Sequence, residues 1–495
     1  MQFVVRYFPE IILKSRPVRK QMSRQLQGNL QSLLRGLDVG RIRVVAGWDK
    51  LVVHVEAPTA ETEARVVAVL RNTPGIAHFM DVEQCPLTGL PQLAERVLAI
   101  WRGRLDGRTF AVRCRRRGTH AFSSRDVECA VGAALLQGSG ASGVDLEHPD
   151  CVVRVEVVDD RVSLVNRRWE GLGGYPSGSI GAVLSLVSGG FDSTVASFQA
   201  MRRGLLTHFL FFNLGGHAHE VGVREVAAYL WTKYGASRPV RFVSVPFDEV
   251  VAEILQRVDE RLMGVVLKRM MLRAAEKIAA DMGVCALVTG DSVAQVSSQT
   301  LHNLSVVDQA CGMLVLRPLI SCDKSSIVEI SRAIGAEDFA ASMPEYCGVI
   351  SVKPATRARL DRVQASEAKL DAALLERAVA RASSARIDQL ALDDQSAPDL
   401  EVMVAPVAGS IILDVRHPDD VERAPLQVPG IEVQAIPFFE LHRRFAALDQ
   451  ARRYMLYCDQ GVMSRIHAAH LVSEGHANVC VYRPMLRPPA RSGAA

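Results

Sequence analysis

Residues 182–204 read AVLSLVSGGFDSTVASFQAMRRG. An apolar run ends in Ser188-Gly189-Gly190-Phe191-Asp192-Ser193-Thr194, and a periodic apolar segment follows. A strand, a glycine-rich loop and a helix in that order make an anion cradle. Backbone N–H groups at the helix N-terminus point at the ligand, and the helix dipole favours negative charge. The paired glycines let the backbone approach closely, and the hydroxyls add donors. The loop lacks the G-x4-G-K-[ST] pattern, and no lysine enters the helix, so it is not a Walker A.

Working outward from the loop, residues 182 to about 350 alternate strand and helix patterns. AVLSLV, THFLFFNL, RFVSVPF, CALVTG and MLVLRP read as strands, with helices expected at 194–203, 219–235, 265–282 and 323–335. This alternation predicts a parallel sheet covered by helices on both faces. Upstream, QFVVRYF, an amphipathic segment and RIRVVAGWDKLVVHVE predict a small α+β unit over 1–60. Residues 61–168 continue with helices and strands, ending in a Gly/Ser/Pro-rich joint, GLGGYPSGS. Residues 356–400 read as a helical or loose linker, and 401–495 as another α/β unit with SIILDVR and YMLYC as central strands.

The chain has 495 residues, 48% hydrophobic and 23% charged, a soluble globular composition with length for three or four domains. No uninterrupted run of eighteen apolar residues is present, so no membrane span is expected, and the N-terminus does not read as a secretion signal. The ten cysteines show no metal-ligand spacing. A cytoplasmic protein with free thiols is the expectation. Net charge is +4, but residues 1–180 hold 25 Lys/Arg against 19 Asp/Glu, and 101–125 hold eight Arg and one Asp. That local patch points to nucleic acid, with a solvated arginine face as the alternative.

S-G-G-x-D-S resembles the PP-loop of ATP pyrophosphatases, which adenylate a carbonyl oxygen and release pyrophosphate. FFNLGG, MGVVLKRMMLRAAEKIA, ALVTGDSVAQVSSQTLHNL, LRPLISCDK and MPEYCGVIS follow it in order. Together they resemble the tRNA 4-thiouridine synthetases, and the likeness covers nearly the whole chain. RCRRRGTHAFSSRDVECAVG is similar to the THUMP domain that binds tRNA in that family. The resemblance implies an α/β multidomain chain. A ferredoxin-like α+β unit (1–60) and a THUMP domain (61–168) would precede a PP-loop pyrophosphatase domain with a parallel sheet (172–355). The linker (356–400) and a C-terminal rhodanese-like α/β domain (401–495) would follow. It also implies ATP and Mg²⁺ at Leu186, Val187, Ser188, Gly189, Gly190, Asp192 and Ser193, with His208, Phe209, Lys268, Gly290 and Gln299. Asp192 would face the pyrophosphate and its Mg²⁺, and Lys324 would help activate the uridine. Arg113, Arg115, Arg116 and Arg117 are the expected RNA contacts.

YMLYCDQGVMSRIHAAHLVSEGHANVCVYRP places Cys458 at the end of an apolar strand, before a short loop and a helix. Such a loop wraps N–H groups round sulfur, and the helix N-terminus lowers the thiol pKa. The arrangement resembles a rhodanese site, and IILDVRHPDD resembles the rhodanese strand ending in Asp-x-Arg. By that resemblance a cysteine desulfurase loads Cys458 as a persulfide. The terminal sulfur attacks C4 of an adenylated uridine, or leaves as sulfide that does. Cys347 then closes a redox disulfide with Cys458, which a thiol reductant reopens. A sulfur-carrier protein of thiamine thiazole synthesis is a second implied acceptor, and a homodimer is an open assembly. Two other readings compete: a PP-loop synthetase acting on a small molecule, and an RNA-binding module without catalysis. The intact 188–194 loop opposes the second, and the basic stretch with the appended sulfur domain opposes the first.

Overall fold

Phe3, Val5 and Tyr7 share one face of the first strand, Gln2–Tyr7, and are buried, while Val4 on the other face packs with Met80 and Val82; the helix Arg16–Arg35 follows. The Tyr7 hydroxyl, 2.6 Å from Ser23 Oγ, ties the two together. The computed structural model describes residues 1–37, 41–56, 58–214, 217–342, 354–390, 400–407, 409–416, 418–458 and 462–484. They form two compact units, Met1–Arg71 with Gly75–Gly173, and Asn72–Pro74 with Gly174–Ala495.

The first unit is built on one eight-stranded sheet. Its order is Ile42–Ala46, Lys50–Val55, Gln2–Tyr7, Ile76–Pro86, Arg161–Gly173, Cys151–Val158, Thr109–Arg117 and Gly143–Val144. The ferredoxin-like half extends beyond residue 60. The helix Ala60–Asn72 buries Thr62, Val66 and Leu70, and the strand Ile76–Pro86 pairs antiparallel with Gln2–Tyr7. That same strand pairs with Arg161–Gly173, so the two halves share one sheet. Phe79 and Trp169 stack across the pairing, with ring centres 5.2 Å apart.

In the second unit, all five expected strands form one sheet with a sixth. The order is Leu314–Leu316, Ala286–Val288, Gly181–Leu186, Leu205–Asn213, Arg241–Pro246 and Ser383–Arg386. The first five are parallel. The chain enters at Gly181–Leu186, fills one side, then returns to fill the other. Order therefore reverses beside Gly181–Leu186, and the crevice at the carboxyl ends of the strands there is where α/β sheets bind ligands. The loop 188–194 leaves from that end. A third sheet, five-stranded and parallel, carries Ile411–Asp414 and Tyr454–Tyr457 at its centre. No helix among the described residues is long and apolar enough to cross a membrane.

Within residues 356–400, read as a linker, the described residues 356–390 form helices and a strand. Helices Leu360–Glu367 and Leu374–Ala380 bury Val363, Leu374 and Ala378 in the core beneath the helix Met263–Asp281. Ser383–Arg386 adds an antiparallel edge to Arg241–Pro246. Arg269, 1% exposed, is the largest fully buried side chain, and Glu367 binds it through Nε at 2.6 Å. Glu367 also accepts from Arg273 at 2.9 Å. Glu367→Ala leaves a guanidinium buried without its counter-charge. The expected loss is about 3–5 kcal/mol, read from chemical denaturation monitored by circular dichroism.

Candidate active site and sulfur site

The strand Gly181–Leu186 hands over to the loop through Val187, whose N–H donates to the Leu210 carbonyl at 2.8 Å. The Ser188 N–H donates to Ser193 Oγ at 3.1 Å, and Thr194 Oγ1 donates to the Gly190 carbonyl at 2.8 Å. These bonds close the loop on itself. Gly189 has φ +82°, a left-handed conformation that glycine adopts without strain. Gly190 is the N-cap of the helix Phe191–Arg202 and supplies no side-chain cap. The first N–H groups of that helix are thus left to a ligand.

A second segment closes over this N-terminus. A Cβ on Gly290 would lie 2.6 Å from the Asp192 carbonyl carbon and 2.7 Å from the Ser193 nitrogen. Only glycine permits that approach. Asp192, in the first helical turn, accepts from Lys324 Nζ at 3.0 Å and from Gln295 Nε2 at 2.7 Å. Lys324 Nζ also lies 5.3 Å from the Phe191 ring centre.

Asp291, next to Gly290, is the residue that sequence reasoning missed. Lys268 Nζ donates to it at 2.7 Å, Thr289 Oγ1 at 2.8 Å, Gln299 Nε2 at 3.2 Å and Arg317 Nε at 3.3 Å. Burial alone would raise its pKa. Lys268, Thr289 and Arg317 outweigh burial and hold the carboxyl at about 2. Lys268 and Gln299, both anticipated, are therefore positioned through one carboxylate. An acidic residue directly after the glycine was the available signal, but the apposition of four donors from 268 to 317 is tertiary.

His208 and Phe209 are not at the loop. They pair in register with Leu184 and Ser185, within the sheet. His208 lies four positions below Ser188, about 13 Å along a strand, and its Nδ1 accepts from the Arg241 N–H at 3.0 Å. The histidine that does meet the loop is His219: Nε2 lies 3.2 Å from the Ser188 carbonyl, and its ring meets Phe211 edge-on at 5.0 Å. Leu186 ends its strand, and Val187 is buried at the loop's root.

Cys458 follows the strand Tyr454–Tyr457 and is 8% exposed. The Ser464 N–H donates to Sγ at 3.3 Å, and Ser464 Oγ is also 3.3 Å from the sulfur. Ser464 lies in the first turn of the helix Val462–Ser473, so the sulfur sits at a helix N-terminus. Beside it, Arg416 grips Asp414 in a bidentate pair, Nη2–Oδ2 2.6 Å and Nε–Oδ1 2.9 Å, and lies over the Tyr457 ring. Asp414 and Tyr457 are partners across the sheet, so the Asp-x-Arg pair braces the strand end from which Cys458 projects. Burial and the nearby Arg483 lower the Arg465 pKa, and Cys458 partly offsets them. Cys347 lies outside the described residues.

On the strand Thr109–Arg117, Arg113, Arg115 and Arg117 are exposed on one face. Arg113 donates to the Leu146 carbonyl. Arg116 turns to the other face, where it meets the Gly118 carbonyl and His120 Nδ1, each at 3.0 Å. The period-2 alternation of a strand separates it from the other three.

Three family models match the chain: ThiI ferredoxin-like domain over 2–80, THUMP domain over 88–165, and Thiamine biosynthesis protein (ThiI) over 178–372. The tRNA sulfurtransferase of Azotobacter vinelandii is 53% identical over 98% of this chain and all of the relative. That of Pseudomonas syringae pv. syringae is 52% identical over the same shares. Among solved structures, a 4-thiouridine synthetase in complex with RNA and ATP superposes with a TM-score of 0.68. It is 26% identical and covers 78% of this chain and 99% of its own.

Asp291→Asn is expected to lower stability by about 2 kcal/mol at pH 7. The Asp291 pKa is depressed, so its contribution is present above the ordinary value of 3.8 and is lost as pH falls toward about 2. Urea midpoints of the two proteins should therefore stay apart from pH 7 to about pH 4 and converge only as pH falls from there toward about 2. Gly290→Ala should abolish ATP binding measured by calorimetry, because the added methyl collides with the helix that forms the cradle.

Proposed function

The chain belongs to the tRNA sulfurtransferase family, and from that premise we propose how its two sites divide the reaction. The reaction is ATP-dependent replacement of a uridine oxygen in tRNA by sulfur, giving 4-thiouridine. The observation that carries the division is the uncapped N-terminus of the helix Phe191–Arg202, set against Lys324 and the Asp291-held Lys268.

The phosphates of ATP bind the N–H groups of the loop 188–194, with Lys268 and Lys324 offsetting their charge. Asp192 is the carboxylate suited to Mg²⁺, since its oxygens hold only the exchangeable Lys324 and Gln295, whereas Asp291 is saturated. No group of three or more metal-binding side chains occurs among the described residues, so the ion would ride on phosphate oxygens. When bound, it neutralises charge developing on the departing pyrophosphate. Uridine O4 attacks the α-phosphorus, pyrophosphate leaves, and O4 becomes part of an AMP leaving group.

Sulfur comes from the other site. A cysteine desulfurase converts Cys458 to a persulfide, whose anion is stabilised by the Ser464 N–H and the helix N-terminus. The terminal sulfur attacks C4 and AMP departs, leaving the base joined to Cys458 through an S–S bond. The Cys347 thiolate attacks Cys458 Sγ. That S–S bond breaks, its electron pair stays on the transferred sulfur, and a Cys347–Cys458 disulfide remains. A thiol reductant returns two electrons and two protons. Arg113, Arg115 and Arg117 hold the tRNA through phosphates. Sulfur transfer to a carrier protein for thiamine thiazole synthesis is a second role, favoured by the description of the matching family model.

Cys458→Ala protein should take up no labelled sulfur from a desulfurase. Cys347→Ala protein should take it up normally, form no internal disulfide, and stall after one turnover without external thiol. Label appearing on Cys347 in Cys458→Ala protein would reverse the two roles.

Replacing Arg113, Arg115 and Arg117 with alanine should weaken tRNA binding and reduce the log–log salt slope by up to about three. The reduction should be smaller to the extent that Arg113 stays on Leu146. Arg116→Ala should leave that slope unchanged. Filter binding across a salt series separates the two faces.

A further inference from the structure

Adenylation and sulfur loading occur on different sheets, so something must bring Cys458 to the activated base. The helix His217–Leu230 belongs to the nucleotide-binding sheet. Near its start, His219 meets the Ser188 carbonyl. Two turns on, it is covered by the helix Val462–Ser473 of the sulfur domain. There His467 Nδ1 lies 3.2 Å from Glu225 Oε1, with the imidazole fully buried. The two groups approach closely with both polar atoms buried, and the contact becomes an ion pair only when the imidazole carries the proton. One turn further along, Tyr229 meets Phe339 at 5.1 Å and Phe438 at 5.8 Å between ring centres. Phe339 and Phe438 stack at 3.9 Å with planes 18° apart, and Phe438 reaches His467 at 6.2 Å.

These residues are themselves buried, with Phe339 and Phe438 each 2% exposed, and they lie between two sheets. The sulfur domain packs Ile412, Met455, Tyr457, Cys480 and Tyr482 about its own sheet. The nucleotide domain has its own clusters about Gly181–Leu186. The contact between them has the composition of a binding hot spot: stacked aromatics with one desolvated polar pair at the centre. A buried polar pair makes such a surface specific rather than merely adhesive, because a wrong partner would leave one group desolvated and unpaired. Burial pushes the Glu225 carboxyl up to about 8, and His467 is the titratable partner that the sulfur domain brings to it. The pair also lies close to both reacting sites. Ser464, against Cys458 Sγ, is three residues before His467, about 4.5 Å along the helix axis. His219, against the nucleotide loop, is six residues before Glu225, about 9 Å along its axis.

We propose that Glu225, Tyr229 and Phe339 form a docking surface for the chain's own sulfur domain, recognised through Phe438 and His467. Docking there passes sulfur from Cys458 to the activated uridine, and neither persulfide loading nor adenylation depends on it. The proposal rests on the division of roles argued above.

Three readouts on the full chain test it: labelled sulfur on Cys458 after desulfurase, tRNA-dependent pyrophosphate release, and 4-thiouridine formed. Phe339→Ala and Phe438→Ala should each keep the first two within about twofold and lower the third about tenfold or more. Phe438→Tyr should restore most of it. Glu225→Ala and His467→Ala should be strongly non-additive in the third readout, as expected of two groups acting through one contact. Equal loss of all three activities would make the contact structural and overturn the proposal. So would undiminished 4-thiouridine formation in the phenylalanine variants. Failure of the underlying reading shows elsewhere: Cys458→Ala protein would then still accept label.

Discussion

The nucleotide site depends on how closely the exit of the strand Ala286–Val288 approaches the first turn of the helix Phe191–Arg202. With no side chain at Gly290, the two backbones come near enough for Asp291 to stand directly beside the cradle. Everything cationic in the site is then placed by two neighbouring carboxylates. Lys324 goes to Asp192, and Lys268 and Arg317 go to Asp291. A site that must receive several negative charges needs cations nearby, but unpaired cations in a crevice repel one another. Pairing them with carboxylates keeps the ligand-free state stable and holds the cations in place.

The two carboxylates do different work. Asp291 is buried, holds four donors and stays ionised down to about pH 2. It is a fixed anchor. Asp192 is more exposed and holds two side chains that a ligand could displace. A metal–phosphate complex can therefore compete for Asp192 without dismantling the site. The same contrast appears at the sulfur site. The Asp414–Arg416 pair is buried and bidentate, and it braces the strand end. The Ser464 N–H is the group aimed at the Cys458 sulfur.

Residues 360–390 show how a stretch without strand signal becomes part of a core. Its two short helices close one side of the helix Met263–Asp281, and Glu367 neutralises Arg269 there. The same domain meets the C-terminal one through two further contacts, Glu225 with His467 and Phe339 with Phe438.

Much of this protein was legible in its sequence because the determinants are short-range. The five parallel strands, the loop 188–194 and the strand–cysteine–helix at Cys458 are each set by periodicity or turn chemistry within about twenty residues. Lys268, Gly290, Gln299 and Lys324 could be singled out by resemblance, but their mutual placement could not. Asp291 gathers donors from positions 268, 289, 299 and 317. His219, which was not singled out, meets the loop, while His208 pairs with Leu184 inside the sheet, because strand register and chain packing, and not proximity in sequence, decide which residue reaches the rim. Arg116 leaves the basic face because side chains alternate along a strand, and the partner it finds, His120, lies past the strand's end. The pairing of Glu225 with His467 joins residues 242 apart. Local sequence sets periodicity, capping and turns. Which charges end up paired is decided only when chain packing removes water from between them.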